Sequence, residues 1–128
     1  VYGYLQKEYT PQDTALKSVM ESKKGDCLDH AILLTALLRA IDIPAQAAGG
    51  LCLSGNIFWS HAWVEAYVKE KWIGVDPYDG RDTIDARYLK WLDVPEYDAI
   101  SMFKTKMQLY RLLAFHPEFE LIDYKSEK

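Results

Sequence analysis

The chain reads as an α+β domain in which one buried helix stands against a small antiparallel sheet. Three observations predict this. From Leu28 to Ile41 nearly every helical face carries Ala, Ile or Leu, so this segment is a central helix rather than a surface one. After Pro44 the texture changes to short β-like runs separated by turn residues. Beyond Pro77 helical spacing returns, and an order of helices, then strands, then helices is that of α+β folds. With 128 residues, no repeats and no Gly/Ser linker, a single domain over 1–128 is expected, large enough to bury roughly 65–70% of its unfolded surface.

Thr10-Pro11 followed by Asp13 resembles a cap, a proline at the first helical position and an early carboxylate, which predicts a first helix from about Pro11 to Lys23. Lys23-Lys24 suits its negative end, and Gly25 breaks it. Asp26 then caps a second helix, with Asp29 three positions later, and Asp42-Ile43-Pro44 ends it. Strands are predicted over Ala45 to Leu53, His61 to Val68 and Lys71 to Asp76, with turns at Ser54-Gly55-Asn56 and Lys69-Glu70. The last two form a hairpin. Alternation puts Ala62, Val64, Ala66, Val68, Ile73 and Val75 on an aliphatic face. His61, Trp63, Glu65, Tyr67, Trp72, Gly74 and Asp76 fall on the other. An even-numbered loop pairs odd positions with even ones, so His61 and Asp76 come opposite or diagonal on one face. Helices over about Ile84 to Asp93 and Glu96 to Phe115, and a strand over Phe119 to Tyr124, complete the expectation.

Composition narrows the function classes. The hydrophobic fraction of 49% and charged fraction of 27% are those of a globular protein, and no apolar run approaches the ~18 residues of a membrane span. Fifteen Lys+Arg against 19 Asp+Glu give a net charge of -4 with no basic cluster, so nucleic acid is not an expected partner. Two cysteines are too few for a disulfide scaffold and read as free thiols. The first residue is Val1 rather than Met, compatible with a trimmed or processed chain, which leaves the compartment open. Oligomeric state is equally open.

Why does so oily a helix begin with Gly25-Asp26-Cys27? A helix N-terminus carries unpaired backbone N–H groups and the positive end of the dipole, the setting in which a thiol becomes a thiolate. Nucleophilic thiol chemistry further needs an imidazole that exchanges protons near neutral pH and an acceptor that fixes its tautomer. Cys27, His61 and Asp76 can meet these three requirements, and the constellation needs no metal and no cofactor. The backbone N–H of Cys27 is the expected oxyanion donor.

The stretches Gly25-Asp26-Cys27-Leu28-Asp29-His30-Ala31, Leu37-Leu38-Arg39-Ala40, Ile43-Pro44-Ala45, His61-Ala62-Trp63-Val64-Glu65, Lys71-Trp72-Ile73 and Val75-Asp76-Pro77 resemble, in order and interval, the core of the transglutaminase-like superfamily, a branch of the papain-like thiol enzymes. The resemblance covers about Gly25 to Pro77. It implies a papain-like fold and a Cys-His-Asp triad of Cys27, His61 and Asp76, acting on a protein or peptide substrate. Hydrolysis of a peptide or amide bond is the expected reaction, with acyl transfer to an amine (protein-glutamine γ-glutamyltransferase) or a noncatalytic interaction domain as alternatives. Family members often have an upstream aromatic or amide oxyanion donor, for which Tyr2, Tyr4, Gln6 and Gln12 all qualify.

Competing readings attach to several residues. His30, one turn beyond Cys27, competes with His61 as base, although a packed histidine is the simpler account. Cys27, His30, Cys52 and His61 could be combined into a zinc site, but Cys-x-x-His alone is a weak signal and bound zinc would silence the thiol. Cys52 reads as core and His116 as a turn residue. Trp63 and Trp72 either line a substrate cleft or pack in an aromatic core. Gly49-Gly50 could let a substrate backbone approach closely, but a bulge is the simpler account.

Overall fold

The computed structural model describes residues 1–8, 16–94, 104–109 and 111. In chain order they form β1 (Gln6–Lys7), α1 (Leu16–Ser22), β2 (Lys24–Gly25), α2 (Cys27–Ala40), β3 (Ala45–Ser54), β4 (Ile57–Val68), β5 (Lys71–Val75) and β6 (Tyr88–Val94), followed by helical residues 104–109. The antiparallel sheet runs β5-β4-β3-β6, and β1 pairs with β2 in parallel. The expected helix against an antiparallel sheet is what the chain forms.

The aliphatic face of the sheet is the one the alternation picked out. Ala62, Val64 and Ala66 of β4, with Ala45 and Ala47 of β3, pack on Leu28, Ala31 and Ile32 of α2, and Val68, Ile73 and Val75 border the cluster. Small alanines let the helix approach the sheet closely. Burying each leucine or isoleucine contributes roughly 1.5–3 kcal/mol. A smaller cluster of Leu5, Val19 and Leu33 joins α1 and the N-terminal segment to the far side of α2. On the opposite sheet face Ala48, Trp63 and Tyr88 form a third cluster.

The β4–β5 turn consists of Lys69 and Glu70, both in the left-handed region at φ 52° and 65°. Two such residues make the tight turn whose twist matches the strands, and here they do so without glycine. The resulting register sets Val64 opposite Val75 and Tyr67 opposite Trp72. Continued by one step it brings Asp76 diagonal to His61.

Several expectations are corrected. The first helix ends at Ser22, because Lys23 turns into the left-handed region at φ 56°, so Gly25 is not its breaker. Its predicted start lies outside the described residues. The stretch expected to be helical from Ile84 to Asp93 instead contributes β6, which pairs with β3 from Cys52–Tyr88 to Ala47–Val94. A short apolar run fits either period, and the open edge of β3 offers a ladder of hydrogen bonds that an isolated helical turn cannot match. Of the stretch Glu96 to Phe115, residues 104–109 are helical as expected, and the final strand expected from Phe119 lies outside the described residues.

The bulge read at Gly49-Gly50 is present, as the β3–β6 register shifts between them. A Cβ at Gly50 would lie 2.0 Å from the Leu89 carbonyl oxygen, a backbone atom that cannot swing aside. Gly50→Ala is therefore expected to destabilise the protein by about 2 kcal/mol or more, while Gly3→Ala, whose Cβ would meet nothing within 4 Å, should stay within about 0.5 kcal/mol. Urea unfolding midpoints of the two variants check this, and equal midpoints would contradict the bulge geometry.

Candidate functional site

The site is assembled where the tip of α2 meets the ends of β4 and β5. Asp26 caps the helix with extended backbone, and the capping box is complete: Asp29 N donates to Asp26 Oδ1 at 3.1 Å, and Asp26 N donates to Asp29 Oδ2 at 3.0 Å. Such a cap contributes about 1 kcal/mol and fixes where the helix begins. Gly25 lies against it, since a Cβ there would come 2.6 Å from the Asp29 Cβ. Cys27 is consequently the first helical residue, half-buried and facing a cleft of about 440 Å³.

Across the cleft stands His61 of β4. Its Nε2 lies 2.7 Å from Asp76 Oδ2, which leaves Nδ1 as the ring nitrogen that Asp76 does not engage, and His61 and Cys27 both line the cleft. Burial disfavours charge on the ring, but Asp76 and Cys27 outweigh it and push the His61 pKa up to about 10. Asp76 is itself locked. Its Oδ1 accepts from Tyr78 N at 2.9 Å and Asp79 N at 3.1 Å, and its Oδ2 accepts from the Tyr88 hydroxyl at 2.5 Å as well as facing His61. Burial works to raise its pKa, yet the histidine and the other donors hold it below the usual carboxylate range. The Tyr88 hydroxyl, buried beside that carboxylate, is in turn driven well above the ordinary phenol range.

The three residues singled out in the sequence, Cys27, His61 and Asp76, are thus brought together. His30 is not with them as a base. Its Nδ1 is 2.7 Å from the Asp26 carbonyl, its ring meets Tyr78 edge-on, and burial lowers its pKa, so it is a packed neutral histidine. Trp63 and Trp72 do not line the cleft. Trp63 is in the aromatic core against Tyr88, and Trp72 is exposed beside Tyr67. The tryptophan at the cleft is Trp59. Cys52, expected in the core, is half-buried on the cleft wall, where burial raises its pKa. Of the upstream donor candidates, Tyr4 is turned to the Met20 carbonyl and Tyr2 lies against Gly80; Gln12 lies outside the described residues.

Sequence reasoning missed Tyr88, Asp79 and Lys106. Tyr88 was hidden inside a predicted helix. Asp79, whose Oδ2 is 4.0 Å from His61 Nε2, follows Pro77 in a turn with no distinctive spacing. Lys106 is an ordinary lysine in an ordinary helical stretch, and nothing local marks it as buried. Among the described residues His61, Asp76 and Asp79 also form a group with the spacing of metal ligands. However, His61 and Asp76 already spend Nε2 and Oδ2 on each other.

A thiol on a helix tip, an imidazole on one strand and a carboxylate at the end of the next define the papain-like class of folds. The chain belongs to the Transglutaminase-like superfamily, whose pattern matches residues 1–77. It is also similar to a candidate cysteine protease from Cytophaga hutchinsonii, at 28% identity and a TM-score of 0.55 over 62% of this chain. The chain spans 28% of that protein's length. No curated protein matches it.

The imidazole should keep its proton far past neutrality. Its ring resonances, followed by NMR, are expected to titrate near pH 10 rather than near 6.5. Asp76→Asn removes the negative charge that favours the imidazolium, so the midpoint should fall by at least about one unit. A midpoint unmoved by that substitution would show that Asp76 does not hold the ring.

Proposed function

We propose that the protein is a thiol-dependent hydrolase of peptide or amide bonds, with Cys27 as nucleophile, His61 as general base and acid, and Asp76 as the residue that orients and stabilises the imidazolium. The observation that carries this reading is the buried His61–Asp76 hydrogen bond at 2.7 Å, on a cleft that Cys27 lines together with His61. Membership of a superfamily that includes thiol enzymes and likeness to a candidate cysteine protease support it. So does a cleft of peptide-binding size beside the thiol.

The chemistry follows from the geometry. The Cys27 sulfur adds to the substrate carbonyl carbon, and the oxygen takes up the negative charge beside the backbone N–H of Cys27 at the dipole's positive end. The carbonyl re-forms as the C–N bond breaks, and the imidazolium gives its proton to the leaving amine. The neutral His61 then accepts a proton from water as it attacks the thioester, and the carboxylic acid leaves with the thiolate restored. Asp76, satisfied by four hydrogen bonds, holds the ring without moving. No step needs a metal. Replacing water by an amine in the second half would give acyl transfer from the same intermediate.

Two measurements test the reading. Brief alkylation at pH about 6.5, read by peptide mass spectrometry, should modify Cys27 well before Cys52, whose thiol is held protonated by burial. Offered a library of peptides and glutamine-containing proteins, the wild type should release cleaved or deamidated products and incorporate little of an added fluorescent amine, and Cys27→Ala should do neither. Efficient amine incorporation would reassign it as an acyl transferase. Silence on every substrate, with Cys27 unreactive and a peptide still bound by Cys27→Ala, would make it a binding domain.

A further inference from the structure

Residues 104–109 lie beyond the stretch that matches the superfamily, yet two of their side chains line the cleft, Lys106 and Leu109. Lys106 is 2% exposed, and its Nζ lies 2.9 Å from Asp26 Oδ2 and 3.6 Å from Asp29 Oδ1. These are the carboxylate oxygens that the capping box does not use, for the box takes Asp26 Oδ1 and Asp29 Oδ2. The helix start is therefore capped without the lysine. Burying an ammonium is costly, and a buried ion pair seldom contributes net stability, so capping alone does not account for it. Leu109 anchors the same segment independently: it fills the space above Gly49, where a Cβ would come 2.9 Å from its Cδ2.

What the lysine changes is charge. Asp26 immediately precedes Cys27, and Asp29 is sealed from solvent below it. Two unneutralised carboxylates there would oppose a thiolate, and one ammonium reduces their net charge from two negatives to one. We propose that Lys106 is a positioning residue for the thiol site, balancing the carboxylates of the α2 cap so that Cys27 ionises while it fastens the 104–109 helix as a wall of the cleft. This rests on the reading of Cys27 as a nucleophilic thiolate. Among the described residues, the other charged or titratable groups around that end of the cleft are His61 from β4, Cys52 from β3, Asp76, Tyr78 and Asp79 from the turn after β5, Lys7 from β1 over the Tyr78 ring, Tyr88 from β6, and His30 within α2. All of them stay in place in the variants below.

The test is the pH dependence of Cys27 alkylation by iodoacetamide, a neutral reagent, measured on the intact chain. In Lys106→Met the acid limb should move upward by about half a pH unit or more, roughly a threefold slower reaction on that limb. Lys106→Arg should restore it. Leu109→Ala, which loosens the same segment without touching charge, should leave the limb where it is. Lys106→Met combined with Asp29→Asn should return it, because the net charge of the cluster is again one negative. If Lys106→Met does not fold, Asp29→Asn alone decides, and its limb should move downward. An unmoved limb in Lys106→Met (or in Asp29→Asn, where that variant decides) would overturn the proposal, as would an equal shift in Leu109→Ala. A wild-type Cys27 inert at every pH would overturn the thiol-enzyme reading itself, and this inference with it.

Discussion

The Asp76 carboxylate accepts hydrogen bonds from the backbone of Tyr78 and Asp79, from the Tyr88 hydroxyl and from the His61 ring, and so ties together the turn after β5, the edge strand β6 and the central strand β4. A buried carboxylate left unpaired would cost several kcal/mol or take up a proton. Here two donors come from the adjoining turn and two, His61 and Tyr88, from distant strands, so the charge is fully satisfied only in the completed fold. The sheet order follows the same logic. β6 must lie beside β3 for Tyr88 to reach across the aromatic core of Ala48 and Trp63 to that oxygen.

The two faces of the sheet divide the work. The face toward α2 is small and aliphatic, which lets the helix pack tightly and makes its tip a rigid support for Cys27. The opposite face carries the polar and aromatic groups, with His61 flanked by Trp63, Tyr78 and Tyr88. These rings pack around the imidazole, and the Asp76 behind it is buried. Farther along, Glu65 pairs with Lys90, continuing the polar face away from the cleft.

Helix caps and ion pairs play distinct parts at the thiol. The Asp26–Asp29 box sets where α2 begins and therefore which residue is first in the helix. Lys106 binds the oxygens that the box leaves over, so geometry and charge are adjusted by separate atoms of the same two carboxylates. That separation allows the segment after β6 to influence the site without supplying any reacting group.

Local signals were enough to read the α+β class, the extent of α2, the hairpin and its two faces, because periodicity, caps and turn residues act over a few neighbours. They also singled out Cys27, His61 and Asp76, since a thiol after an Asp cap and two polar residues on one hairpin face can be recognised from short spacings. They did not separate a strand from a helix at Tyr88 to Val94, where a short apolar run fits both periods and the free edge of β3 decided. Nor did they distinguish Trp59 from Trp63 and Trp72 at the cleft, which depends on which end of a strand stands open to solvent. The amino-acid sequence by itself determined the helix tip, the two faces of the hairpin and which residue types stand at the candidate site. Only the tertiary structure decided that Tyr88 reaches Asp76 and that Lys106 is buried against Asp26, because those pairings join residues far apart in the chain and arise only when the sheet closes on the helix.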